Sequence, residues 1–209
     1  RNNAIILAHY YQTMDIQDAA DIVGDSLELA RHAQRATQDV IVLCGVRFMA
    51  ESAKLLNPGK TVLLPAPDAG CPMADMVRPE HVRALRQQHP DAAVVCYINS
   101  SAAVKAECDI CCTSSSSVKI VRSLPHKKII FVPDRNLGAY TASQVPEKEF
   151  ILFDGFCHVH QGISAADVRA ARAARPGAQL LVHPECRPEV LAHADYIGST
   201  AGILRYVED

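Results

Sequence analysis

Side chains able to hold or move a proton recur at the ends of apolar runs in this sequence. The pairs are His9 and Tyr11, Tyr97 and Asn99, and His183 and Glu185, and they recur at near-equal intervals. Ser26, Ser114 and Thr200 each stand among small or capping residues where a helix is expected to begin. A helix start offers unpaired N–H groups and partial positive charge, which suits a carboxylate or phosphate. One such hydroxyl would be read as a helix cap and nothing more. Three of them, in a repeating pattern, point instead to a central anion site. The eight cysteines are Cys44, Cys71, Cys96, Cys108, Cys111, Cys112, Cys157 and Cys186. Many lie in apolar runs, and a free cysteine is most often a small buried hydrophobe. Reduced thiols, used for packing or as metal ligands, are expected.

The elements that must carry these residues alternate strand and helix, the pattern of an α/β fold with largely parallel sheets. Strand-like runs fall at 5–11, 40–46, 60–66, 92–98, 128–133, 149–155, 179–185 and 195–198. Helical stretches fall at 26–36, 51–56, 79–88, 118–124 and 165–174. In α/β folds chemistry gathers at the ends of parallel strands, where the polar pairs occur. Of the 209 residues 49% are hydrophobic and 21% charged, ordinary values for a globular chain. A net charge of −2 argues against nucleic-acid binding, which needs a basic stripe. No apolar run approaches the roughly 20 residues that span a bilayer. Residues 1–11 run directly into a strand-like segment, so no signal peptide is expected and a cytoplasmic location is.

The segments also line up as a repeat. AIILAHYYQ, AAVVCYINS and AQLLVHPEC are each an apolar strand ending in polar or aromatic groups. LCGVRFMAESAKLL, CCTSSSSVKIVRSL and YIGSTAGILRYVED follow them as strands breaking into helices. VLLPAPDAGC and IFVPDRNLGA continue the first two units with a further strand and a Pro-Asp turn. The expected units are 1–86, 87–174 and 175–209, the third of them incomplete, with about one more strand–helix section expected after Asp209.

The motifs AHYYQ (8–12), GDSLELA (24–30), GCPMADM (70–76), CYINSSAAVKA (96–106), CCTSSSSVKIV (111–121), FVPDRNLG (131–138), GFCHVH (155–160), HPEC (183–186) and IGSTAGILRYV (197–207) resemble quinolinate synthase in order and spacing. The resemblance implies three similar three-layer α/β domains around a pseudo-threefold axis. It implies a 4Fe-4S cluster held by one cysteine per domain, with one iron left open as a Lewis acid. Cys71 and Cys157 are the matching metal ligands, on glycine-containing turns that let the backbone approach a bulky group; the third is expected beyond residue 209. The implied reaction condenses iminoaspartate with dihydroxyacetone phosphate to quinolinate for NAD biosynthesis, in functional coupling with an aspartate oxidase. His9, Ser26, Tyr97, Asn99, Ser114, His183, Glu185 and Thr200 would bind substrate. Tyr11, His183 and Glu185 would transfer protons. His160 would order the cysteine loop or assist proton movement. Ser116 and Ser117 depart from the family's commoner Asn-Ala, and no role follows for His158.

Other readings compete. A metal- or ligand-binding fragment of the same fold would lack activity for want of the third ligand, and would hold zinc rather than show the colour of an iron–sulfur protein. A metal-free aldolase-like enzyme would need a lysine at a strand end, and the strand ends named above carry none. Cys108, Cys111 and Cys112 form C-x-x-C-C, which suggests zinc. With no second pair at zinc-finger spacing, buried strand cysteines are the better expectation. Cys44 and Cys96 read as packing, and Cys186 as a neighbour of the site rather than a ligand.

Overall fold

The computed structural model describes residues 3–208, with Leu27 described by its backbone alone. Arg1, Asn2 and Asp209 lie outside the described residues. The first unit runs β1 (Ala4–His9), α1 (Met14–Ala19), β2 (Ile22–Gly24), α2 (Ser26–Arg35), β3 (Val40–Cys44), α3 (Arg47–Leu56), β4 (Thr61–Leu63), α4 (Pro72–Met76) and α5 (Pro79–Gln88). The second repeats that order: β5 (Ala93–Tyr97), α6 (Ala102–Lys105), β6 (Ile110–Cys112), α7 (Ser117–Ser123), β7 (Lys128–Val132), α8 (Arg135–Gln144), β8 (Glu149–Leu152), α9 (His158–Gly162) and α10 (Ala165–Ala174). β9 (Leu181–Val182), α11 (Pro188–Leu191), β10 (Tyr196–Ile197) and α12 (Thr200–Glu208) follow in the same sequence of element types.

All strand pairs are parallel. The two four-stranded sheets share one topology, β2-β1-β3-β4 and β6-β5-β7-β8, and β10 pairs with β9. A parallel sheet covered by helices is buried on both faces, so its inner strands are apolar without alternation. β5, Ala-Val-Val-Cys-Tyr, is buried at every position. In the outer strand β4, Thr61 and Leu63 are exposed. Helix boundaries follow local signals. α5 and α10 occupy the residues that the sequence pattern predicts, the first opened by Pro79 and the second by a Ser164–Asp167 capping box. α3 begins at Arg47, four residues before its expected start. α8 had no expectation, because Gly138 and Thr141 interrupt its apolar face.

The shared element order falls in a register different from that of the sequence alignment. β3–α3 corresponds to β7–α8, whereas β6–α7 and β10–α12 correspond to β2–α2. β2 spans three residues, too short to carry a periodic signal, and it is a strand because β1 pairs with it. The C-x-x-C-C expectation also changes. Cys112 is buried, but Cys111 is exposed and Cys108 is half-buried, ahead of β6.

Among the described residues, four apolar clusters hold the units. One lies under the first sheet and two lie on the faces of the second. A small one, Val168, Val182, Cys186 and Val190, supports β9. α4 joins two of them: Ala74 packs into the first unit's core and Met73 into the second's, and Cys71 packs against both. Among the described residues, no helix is long and apolar enough to cross a membrane.

Candidate active site

In an order such as β2-β1-β3-β4, ligands bind beyond the carboxyl ends of the strands where the winding reverses. Those ends converge here on one cavity of about 480 Å³. His9, Tyr11, Ser26, Cys71, Tyr97, Asn99, Ser114, Cys157, His183, Glu185 and Thr200 all line it. Several stand past the last paired residue, in the turn after the strand. Tyr11 and Asn99 do so, as do His183 and Glu185.

Local backbone geometry orients the imidazoles. The Tyr11 N–H donates to His9 Nδ1 at 3.3 Å, and the Glu185 N–H donates to His183 Nδ1 at the same distance. A neutral imidazole that accepts at Nδ1 carries its proton on Nε2. Burial keeps both rings neutral, lowering His9 to about 4 and lowering His183 as well. Each therefore offers an N–H donor.

The helix starts divide their tasks. Asp25 Oδ1 accepts from the Glu28 N–H at 2.9 Å, and Ser199 Oγ from the Gly202 N–H at 3.2 Å. The capping residue is thus the one before Ser26 and before Thr200, which leaves those hydroxyls to the cavity. Around Ser114, Thr113 and Ser116 join hydroxyls at 3.0 Å and shape the turn.

Glu185 is the most buried charged group of the cavity, 4% exposed. One carboxylate oxygen lies 2.8 Å from His160 Nδ1, and Tyr97 also bonds to the carboxylate. Burial pushes this carboxyl up, but the His160 bond and the His160 charge outweigh it and hold it low. Burial pulls His160 down, but hydrogen bonds to Cys157 and Glu185 raise it well above its ordinary value. An imidazolium–carboxylate pair results, with the His183 ring stacked 4.9 Å from His160. Oε1 of Glu185 is buried without a hydrogen-bond partner. Tyr97 is raised by burial and by Glu185, so it stays a phenol. The Tyr11 hydroxyl lies 3.5 Å from Met49 Sδ, and burial of that end, with Cys71 nearby, pushes it up to about 12.

Cys71 and Cys157 precede α4 and α9 in equivalent places of their units. Burial raises the Cys71 thiol, and it senses Cys157 and Glu185. Cys157, His160 and Glu185 offer ligand atoms within 4.8 Å of one another. Two supporting residues lie in the FVPDRNLG motif, although no role for either followed from the sequence. Asp134, fully buried, caps α8 by accepting from Leu137 N at 2.6 Å and also accepts from Cys157 N at 3.0 Å. Asn136 donates to the Glu185 carbonyl at 3.0 Å and ties α8 to the β9 turn. Gly155, two residues before Cys157, has a further reason to be glycine. A Cβ on Gly155 would lie 2.5 Å from the Pro133 carbonyl oxygen, so the chain's own backbone requires glycine there. Phe48, Met49, Val46 and Ile98 add an apolar wall.

The family model described as Quinolinate synthetase A protein matches residues 1–209. The quinolinate synthase of Caldicellulosiruptor saccharolyticus is 57% identical over 206 residues, 99% of this chain and 68% of that protein. Those of Alkaliphilus metalliredigens and Aquifex aeolicus are each 55% identical, over 99% and 98% of this chain and 68% and 63% of their own lengths. The chain thus spans about two thirds of these relatives.

Proposed function

The chain belongs to the quinolinate synthetase A protein family, an enzyme family of NAD biosynthesis, and from that premise we propose that its cavity condenses iminoaspartate with dihydroxyacetone phosphate to quinolinate. The carrying observation is the convergence of all eleven expected residues on one cavity. We further propose that the units are arranged about a pseudo-threefold axis, with the cavity on it. The enzyme would act in the cytoplasm, beside an aspartate oxidase that supplies iminoaspartate.

The donor chemistry fits an iron–sulfur cofactor: the Cys71 and Cys157 thiols face the same cavity, close enough to sense each other. These two residues would hold a 4Fe-4S cluster. When bound, the cluster supplies an open iron that acts as a Lewis acid toward a departing hydroxyl.

The chain's own groups would do the rest. The hydroxyls of Ser26, Ser114 and Thr200 would receive carboxylates and phosphate, with the N–H groups of α2 and α12 behind the first and last. The Nε2–H groups of His9 and His183 would add donors. Asn99 would orient substrate through its amide. Glu185 Oε1, buried and unpartnered, would accept a proton from substrate. His160 would keep that carboxylate ionised at rest. Tyr97 and Tyr11, both phenols at neutral pH, would donate hydrogen bonds, with Tyr11 delivering a proton. The apolar wall would exclude water.

The test is anaerobic iron–sulfur reconstitution followed by quinolinate formation from the two substrates. Cys71→Ala and Cys157→Ala should each lose bound iron, while Glu185→Gln should keep iron and lose turnover. Retained iron in both cysteine variants would overturn the ligand assignment, and full turnover in Glu185→Gln would overturn the base.

A further inference from the structure

On the other face of the second sheet, three cysteines outside the cavity lining come together. Cys96 lies on the inner strand β5 and Cys111 on β6, the outermost strand of that sheet, and the two are register partners. Adjacent strands lie about 4.8 Å apart, inside the Cα separation of about 4.4–6.8 Å that a disulfide bridges. Side chains alternate along a strand, so these two project to one face while Tyr97 and Cys112 pack into the core on the other. The Cys96 thiol is within hydrogen-bonding reach of the thiols of both Cys108 and Cys111. Cys108 is engaged elsewhere as well, its sulfur donating to the Val104 carbonyl at 3.2 Å. Lys105, which donates to Ser52 Oγ at 2.6 Å, is the positive charge that favours a Cys111 thiolate, against the hydrogen bond with Cys96 and burial, which raise that thiol. Cys96 is fully buried and Cys111 is exposed, so one thiol of the pair can be reached from solvent and the other waits beside it.

We infer that Cys96 and Cys111 are a redox-active dithiol that closes to an inter-strand disulfide by exchange with a small organic disulfide. Cys111, as thiolate, attacks the small disulfide. A bond forms from its sulfur to one sulfur of the reagent, the reagent's S–S bond breaks, and the other half leaves as a thiolate. The Cys96 sulfur then attacks Cys111 and displaces the second half. The protein thiols lose two electrons and two protons, and the reagent gains them as two thiols. The new bond would clamp the outer strand to its neighbour one residue before Tyr97 and two before Thr113. The redox state of the surroundings would thereby set how firmly the Tyr97 and Ser114 sides of the cavity are held together. The inference stands apart from the reaction assigned to that cavity.

The test uses the fully reduced chain, incubated with oxidised glutathione and followed by intact mass and peptide mapping. Expected are the loss of two hydrogens with no glutathione retained at these positions, a cross-linked peptide joining residues 96 and 111, and reversal by dithiothreitol. Cys108→Ser should close in the same way, and Cys111→Ser should leave Cys96 unlinked. Mapping of the unsubstituted chain decides the matter even if a variant folds poorly. A stable glutathione adduct on Cys111, a bridge involving Cys108, or no reaction at either thiol would overturn the inference.

Discussion

Replacing Gly155 with alanine should detach the Cys157 loop from the end of β7. The added Cβ would stand 2.5 Å from the Pro133 carbonyl oxygen and 3.3 Å from its carbon, both backbone atoms that cannot turn aside. Restoring an ordinary carbon–oxygen contact of about 3.3 Å needs a shift of roughly 0.8 Å. That shift stretches the Arg135 N–Gly155 O bond, now 2.8 Å, and the Cys157 N–Asp134 Oδ2 bond, now 3.0 Å. The first costs about 1 kcal/mol. The second leaves a buried carboxylate short of a donor and costs about 1.5–3 kcal/mol, so the sum is near 3 kcal/mol. With a urea slope of about 2 kcal/mol per molar, the unfolding midpoint should fall by about 1.5 M. Cys157 should also alkylate faster in the variant, read by mass spectrometry after a short iodoacetamide pulse. Gly59→Ala is the control: no atom lies within 4 Å of its added Cβ. A Gly155→Ala midpoint within a few tenths molar of the parent, with unchanged Cys157 labelling, would refute the reasoning.

Tyr97→Phe removes a donor from the buried Glu185 carboxylate and should cost about 1.5–3 kcal/mol in thermal or urea unfolding, with quinolinate formation falling as well. Asn136→Ala should cost about 1–3 kcal/mol by freeing the Glu185 carbonyl, and proteolysis should then cut the β9–α11 region sooner. Two buried groups oppose each other in pH dependence. His9, lowered by burial to about 4, takes up no proton when folded between that pH and 6.5, whereas the unfolded chain does; this contribution to stability grows as pH rises. Asp134, raised to about 7 by burial and then by Glu185, keeps its proton when folded between 3.8 and about 7, and this contribution declines as pH rises. These two contributions nearly cancel from pH 4 to 6.5, so the parent's stability should rise there through His183, which burial also lowers. His9→Asn should tilt it downward with pH and Asp134→Asn upward, each by up to about 1.4 kcal/mol per pH unit. Parallel urea-midpoint curves for all three chains would count against both assignments.

Much of this molecule is legible without coordinates, because local signals act locally. Pro79 and the Ser164–Asp167 box start their helices, and the unbroken apolar run of β5 announces a strand buried on both faces. Residues at the ends of parallel strands must share one edge of a sheet, so the motif residues could be expected to meet. Tertiary structure decided what depends on partners distant in the chain. β2 and β6 are three-residue strands with no pattern of their own, and they extend because β1 and β5 supply hydrogen bonds, so the sequence alone aligns the segments in another register. The same dependence hid the hold of Asp134 on Cys157, that of Asn136 on Glu185, and the neighbourhood of Cys96 and Cys111. Side-chain order along a chain specifies which surfaces are apolar and where backbones turn. Which atoms then face one another across a crossover is set by strand register, and register exists only once the sheet has formed.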